Sequence, residues 1–313
     1  MVRLTQLLAL TALAACASPV YEVRGHFSPE ARASVALAAV NGPFVAEVLS
    51  DENGRFSFNK ISAGTYTITI DIPVQGEAHA TVEVGPGTAD SEGRVALMLR
   101  FQPSDFEAGS ARRRASVSAG ELAIPEKALH EYAQARGDLA KPDAEAARLH
   151  LERAVEIAPR FAAAWNELGT LAYKERHLER AEECFRAALA AEPDAFEPLV
   201  NLGGVLIQLG KFDEAIDRNV HAVLARPNDA LANSQLGLTY FSLGRYDLAR
   251  KYLETARRLD PSHFSQPQLT LAEIDLREGH KRAAADELQD FLDHHPDYPQ
   301  AAKVREKIAE WRQ

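Results

Sequence analysis

Two rhythms of hydrophobic and polar positions divide this chain. Between Tyr21 and Phe101, short runs of alternating apolar and polar residues are separated by turn residues, the period-two pattern of half-buried strands. The pattern predicts seven strands, at Tyr21–Phe27, Ser34–Val40, Phe44–Ser50, Arg55–Asn59, Thr65–Ile72, Ala78–Val84 and Arg94–Phe101. The clearest signal is Asp51-Glu52-Asn53-Gly54 followed by Arg55-Phe56-Ser57-Phe58. Asp and Asn favour a turn by bonding nearby backbone, and Gly54 can take positive φ without steric cost. Phe56 and Phe58 then share one face while Arg55, Ser57 and Asn59 take the other. Tyr66, Ile68 and Ile70 form a second apolar face, and two sheets packed on such faces make a seven-strand antiparallel β-sandwich over 21–102.

From Ala128 the rhythm lengthens. Pro159, Pro193, Pro227 and Pro261 recur every 34 residues and Pro296 follows after 35. Aligned on these prolines, Gly169, Gly203 and Gly237 share a column that Ala272 continues, behind a column of Leu168, Leu202, Leu236 and Leu271. Ala147, Ala181, Ala215, Ala249 and Ala284 form another column, and Ala154, Ala188, Ala222 and Ala256 a fourth. Antiparallel helices approach closely only where side chains are tiny, so the Gly column is expected to face the Ala column that begins at Ala147. Proline ends each second helix, and Gly210, Gly244 and Gly279 suit the left-handed residue of the turn between helices. These columns resemble tetratricopeptide (TPR) repeats, whose 34-residue unit is a helix–turn–helix. The resemblance implies an all-α TPR solenoid of five repeats, at about 128–161, 162–195, 196–229, 230–263 and 265–298. The first is degenerate at Gln134-Ala135 and the last carries Asp275 where a bulky residue is usual, as suits terminal repeats. With its degenerate start the array occupies 121–298; a closing helix at 299–313 would bury Ala302, Val304, Ile308 and Trp311. Between sandwich and array, 103–120 holds Pro103, Gly109 and Arg112-Arg113-Arg114 without periodicity, and reads as a flexible linker.

The turn Asp51–Gly54, with Ala63-Gly64-Thr65-Tyr66 and Val23-Arg24-Gly25, resembles the carboxypeptidase-regulatory-like, or transthyretin-like, domain. The peptidase partner suggested by that name is not encoded, since its zinc needs a His-x-x-Glu pair and none of the ten histidines has Glu three residues on. Asp51, Glu52 and Asn53 could supply oxygens to Ca²⁺, but a hairpin turn accounts for them without a metal.

Met1–Val20 reads as an export signal, with Arg3 ahead of an apolar stretch too short to span a bilayer. It ends Leu13-Ala14-Ala15-Cys16, which resembles the lipobox of bacterial lipoproteins. That resemblance implies a removed signal at 1–15, a lipid on Cys16 and a tether over 16–20; cleavage after Ala17 is the alternative. No aspartate follows Cys16, which in that family favours the outer membrane, with the protein facing the periplasm. The second cysteine, Cys184, is expected to be a buried structural thiol.

Composition narrows the function further. With 35 Lys+Arg against 45 Asp+Glu the net charge is −10, so broad attraction to nucleic acid is excluded. Gly204–Lys211 lacks the spacing of a phosphate loop, and no catalytic constellation, cofactor motif or metal set is present, so no enzyme is predicted. His294-His295 is expected to be a solvated pair at a helix end. By family position, the TPR groove would be lined by Asn166, Thr170, Tyr173, Lys174, Glu197, Val200, Ile207, Gln208, Leu231, Ser234, Leu238, Phe241 and Ser242. Tyr173, Ile207 and Phe241 could equally be packing between repeats. The expected function is a non-enzymatic, membrane-tethered scaffold that binds proteins or peptides in this groove. The alternative is a carbohydrate- or cell-wall-binding protein that uses the sandwich and oligomerises through the repeats.

Overall fold

The computed structural model describes residues 19–40, 45–73, 75–106, 124–139 and 144–313. The export signal with Cys16 and most of the expected linker lie outside the described residues.

Seven strands form close to the expected positions: β1 (Val20–Ser28), β2 (Ser34–Ala39), β3 (Val45–Leu49), β4 (Arg55–Ser62), β5 (Gly64–Ile72), β6 (Gly76–Val84) and β7 (Arg94–Arg100). They make a three-stranded sheet ordered β4-β1-β7 and a four-stranded sheet ordered β3-β2-β5-β6. One expectation fails: the first sheet is mixed, because β7 runs parallel to β1. After β6, at the edge of the second sheet, the chain crosses to the first and enters beside β1 in the same direction, so no hairpin joins β6 to β7. Val23, Phe27, Phe56 and Phe58 of the first sheet meet Val35, Leu37, Ile68 and Ile70 of the second in one apolar core. The β3–β4 turn is held by Asp51, whose Oδ1 accepts from the backbone N–H of Asn53 (2.9 Å) and Arg55 (2.8 Å). Gly54 sits there at φ +72°, and a Cβ would meet the Phe27 carbonyl oxygen at 2.7 Å. Backbone donors thus tie one carboxylate oxygen of Asp51 into the hairpin turn. The start of the expected linker is packed: Pro103–Asp105 make a 3₁₀ turn, and Phe106 is buried edge-on against Phe101, 5.8 Å between ring centres.

Eleven helices follow among the described residues, pairing as α1 (Glu126–Leu139) with α2 (Ala144–Ile157), α3 (Ala162–Lys174) with α4 (Leu178–Ala191), and α5 (Phe196–Gln208) with α6 (Phe212–Ala225). α7 (Ala230–Ser242) pairs with α8 (Tyr246–Leu259), α9 (Pro267–Arg277) with α10 (Lys281–His294), and α11 (Ala301–Trp311) closes the stack. Gly210, Gly244 and Gly279 take the left-handed turn between paired helices at φ +72°, +71° and +82°, and Arg176 takes the matching place at +66°. The closing helix buries Ala301 rather than Ala302, a shift of about 100° around the axis, while Ile308 is buried and Val304 and Trp311 pack partly, as expected.

The small column works differently from expectation. A Cβ on Gly169 would lie 2.6 Å from the Phe185 ring, and one on Gly237 would lie 2.7 Å from Leu253 Cγ; at Gly203 the obstruction is Asn219. Each glycine is therefore a notch for the large residue sixteen places on, not for the alanine twelve places on. Side chains on a helix lean toward its N-terminus, which carries that residue back over the glycine. Leu253 is fully buried and cannot retreat. Replacing Gly237 with Ala is expected to lower stability by roughly 1–3 kcal/mol through overpacking, measured as a lower urea midpoint at unchanged m-value.

Candidate functional site

The first helices of successive repeats bring part of the expected groove together. Tyr173, near the end of α3, is 38% exposed, and its hydroxyl accepts from Gln208 Nε2 of α5 at 2.5 Å. Gln208 Oε1 in turn accepts from Arg176 Nη1 (3.1 Å), and two turns back along both helices Asn201 Nδ2 donates to Asn166 Oδ1 (3.2 Å). The amides that follow the repeat period thus link neighbouring repeats and leave a polar, aromatic-edged band. Lys174, Gln208 and Ser242 are exposed in it, while Thr170 and Ser242 bond back to the carbonyls of Asn166 and Leu238 on their own helices.

Other expected lining residues are structural. Val200 and Ser234 are buried and cannot face a ligand. Ile207 packs on the core around Phe185 and Leu206, and Leu238 on the core around Leu253 and Ile274. Phe241 is half-buried under the Arg277 guanidinium, 5.1 Å from its ring centre; Arg277 also donates to the Tyr246 hydroxyl at 3.0 Å. Glu197 and Leu231 sit instead at the helix starts that face the sandwich.

That second face escaped the sequence reading. Strand β6 and the loop after it lie against the loops that join repeats. Thr81 N–H donates to Asp260 Oδ2 (2.9 Å), and Gly87 N–H to both carboxylate oxygens of Asp297 (2.9 and 3.1 Å). A Cβ on Gly87 would come within 2.7 Å of that carboxylate. His295 is 3% exposed, and its Nδ1 lies 2.6 Å from Glu83 Oε1, which overturns the expectation of a solvated histidine pair; only His294 keeps partial exposure. The helix does end there, but the sandwich covers its last residues. The available signal was the cluster of polar residues beside the repeat prolines, Asp260-Pro261 and His295-Pro296-Asp297, with Gly85-Pro86-Gly87 to meet them. A cavity of about 740 Å³ remains between the two parts, walled by β6 and β7 on one side and the starts of α5 and α7 on the other.

Burial shapes the protonation of this face. It pushes the Asp260 carboxyl up, against the opposing pull of the Thr81 bonds. His263 is buried and its pKa falls to about 4. Its Nδ1 accepts from the Ser265 N–H (3.2 Å), which fits a neutral ring. Elsewhere, Asp275, Glu278 and His280 converge, but Arg250 Nη2 already donates to both carboxylates at 2.8 Å and supplies the cation. Cys184 is fully buried, which pushes its thiol up and suits a structural role.

Comparison with known proteins fits this geometry. Residues 131–260 match the family profile of the cilia and flagella-associated protein 70 middle TPR-like domain, and 240–308 that of the tetratricopeptide repeat. The helical array is a TPR array. Type IV pilus assembly protein PilF of Pseudomonas aeruginosa is 30% identical over 142 residues, 45% of this chain and 55% of PilF. The human cell division cycle protein 16 homolog is 31% identical over 113 residues, 33% of this chain and 18% of that protein. The chain thus spans about half the length of PilF and less than a fifth of the human protein. Among solved structures, MamA of Desulfovibrio magneticus RS-1 aligns with TM-score 0.51 at 21% identity, covering 56% of this chain and 98% of that one. PilW, a type IV pilus biogenesis factor, aligns with TM-score 0.51 at 21% identity, covering 60% of this chain and 91% of PilW. At such identities the likeness is one of fold.

The His263 environment has a pH signature. The unfolded chain binds a proton near pH 6.5 and the folded one only near 4, so the stability due to neutral His263 is complete above 6.5 and is lost as pH falls toward 4. Asp260, raised by burial, works in the opposite direction at the acid end. Urea midpoints of the wild type are expected to fall from pH 7 to pH 5, and those of His263→Gln to fall less steeply.

Proposed function

We propose that the protein is a non-enzymatic scaffold of the bacterial envelope, which holds a protein or peptide along the concave face of its TPR array. The observation that carries this reading is the accessible band of Tyr173, Lys174 and Gln208, where an aromatic edge, an amide held in place by Tyr173 and Arg176, and an exposed ammonium group lie side by side. Such a band suits an extended or helical segment, which needs apolar contact and directional hydrogen bonds together. Asn166, Thr170 and Ser242 would flank the partner, while Ile207, Leu238 and Phe241 pack between repeats and support the band from beneath. The match to PilF, a pilus assembly protein, favours a place in the envelope.

The rest of the proposed architecture comes from the sequence: a signal at 1–15, lipidation of Cys16 at the periplasmic face of the outer membrane, and a carboxypeptidase-regulatory-like sandwich over 21–102. Several acyl chains at about 0.8 kcal/mol per buried CH₂ anchor stably where one does not. Tethering would raise the partner's local concentration at the membrane and strengthen a modest groove affinity.

The test uses a photo-crosslinking amino acid at position 173 in the native envelope, with position 224, an exposed leucine on α6, as control. A discrete crosslinked partner from 173 and none from 224 is expected; equal labelling from both would remove the groove. Membrane fractions prepared in parallel should retain the wild type and lose Cys16→Ala.

A further inference from the structure

The two sheet edges that face the repeat array are treated unequally. Along β6 the outward-pointing groups belong to odd-numbered residues, as the Thr81 N–H shows, and the array covers that edge through Asp260. On β7, the Phe101 N–H donates to Ser28 O (2.8 Å), so odd-numbered positions face β1. The Arg94 carbonyl accepts from Asp90 N–H (2.9 Å) on the opposite side, so even-numbered positions face outward. The bridge between Ala89 and Val95 covers the beginning of that outer edge. Beyond it, Met98 and Arg100 direct their N–H and C=O groups outward, and no described strand pairs with them.

These groups border the 740 Å³ cavity between sandwich and array. Soluble proteins cover or blunt a sheet edge, since its unpaired backbone is a template for another strand. Here the edge opens beside two exposed apolar side chains, Met98 (71% exposed) on the strand and Phe264 (39%) across the cavity. The charges along the cavity are also unequal in their engagement. Asp260 caps Thr81, Asp229 Oδ1 accepts from Ala232 N–H (2.7 Å), Asp105 accepts from Gln102 N–H (2.7 Å), and Glu197 pairs with Arg226 (3.2 Å). Arg100 is exposed and has no carboxylate partner among the described residues.

We infer that this cleft is a second peptide site, separate from the TPR groove, in which an extended acidic segment adds as a strand to the outer edge of β7. Its backbone would pair with Met98 and Arg100, an apolar side chain would lie over Met98 and Phe264, and an Asp or Glu side chain would reach the Arg100 guanidinium. Main-chain bonds supply affinity in strand addition, and the alternating side chains supply selectivity.

A phage-displayed library of random nonapeptides is panned on the full chain, and the enriched sequences are synthesised with amidated C-termini. These are titrated against wild type, Met98→Pro, Arg100→Glu and Tyr173→Glu. Proline is tolerated at an edge position whose N–H faces outward, while removing the donor that an added strand needs. Peptides with an acidic residue are expected to bind wild type, to weaken at least tenfold on Met98→Pro and Arg100→Glu, and to bind Tyr173→Glu unchanged. Amide exchange at Met98 and Arg100 in the wild type should slow when peptide is added, a readout that holds even if Met98→Pro fails to fold. Equal binding to folded Met98→Pro, unchanged exchange at both amides, or no peptide preferring wild type would overturn the site. So would a concentration-dependent dimer abolished by Met98→Pro, which would put a second copy on the edge.

Discussion

The TPR array depends on one steric constraint: within a repeat, the second helix can approach the first only where a side chain is missing. Gly169, Gly203 and Gly237 provide that gap, and Phe185, Asn219 and Leu253 fill it from the opposite helix. Because the same contact recurs at the same period, the helix pairs share one geometry and stack in register. That register brings Tyr173 to Gln208 and Asn166 to Asn201, and it aligns the loops after α6, α8 and α10 along one edge where the sandwich can dock. Asn219 is the exception in kind, a buried amide in place of a hydrocarbon. Its Nδ2 donates to Thr239 across the repeat boundary at 2.9 Å, so a polar bond performs there what packing performs elsewhere.

Much of the fold was legible because its signals are local and periodic. Prolines at a fixed spacing mark helix ends, glycines mark turns that need positive φ, and alternation marks strands; all depend on neighbours a few residues away. The failures involve partners far apart in sequence. β7 pairs with β1 across some seventy residues, and nothing in its alternation reveals the direction of its neighbour. The role of the glycine column was misassigned because spacing gives the phase of a helix face, while the direction in which side chains lean decides which opposing residue arrives. His295 read as a solvated helix-end group because its partner Glu83 lies 212 residues away.

The candidate site divides in the same way. Family position located the exposed pair Tyr173 and Gln208, since those places repeat with the helices. It could not separate a groove residue from a packing one, because an apolar side chain at a given helical phase serves either purpose. Phe241 and Val200 show the difference: Arg277 settles over the first, and the second is closed off by the next repeat. The sandwich-facing surface had no periodic signal, because the bonds at Asp260, His295 and Asp297 come from loop residues and a helix end rather than from a repeated helix face.

Those few bonds have a mechanical consequence. A solenoid bends by small rotations accumulated between neighbouring repeats, which makes it a spring along its axis. β6 with its following loop is fastened both to Asp260, behind α8, and to His295 and Asp297, behind α10, so it bridges the fifth repeat like a splint. Rotation between those two loops would have to break the buried His295–Glu83 contact and the bonds from the Thr81 and Gly87 N–H groups at once. Compliance is therefore displaced to the other end of the spring, where α1 to α4 carry no such brace among the described residues. The array is stiff where it meets the sandwich and yields where it does not.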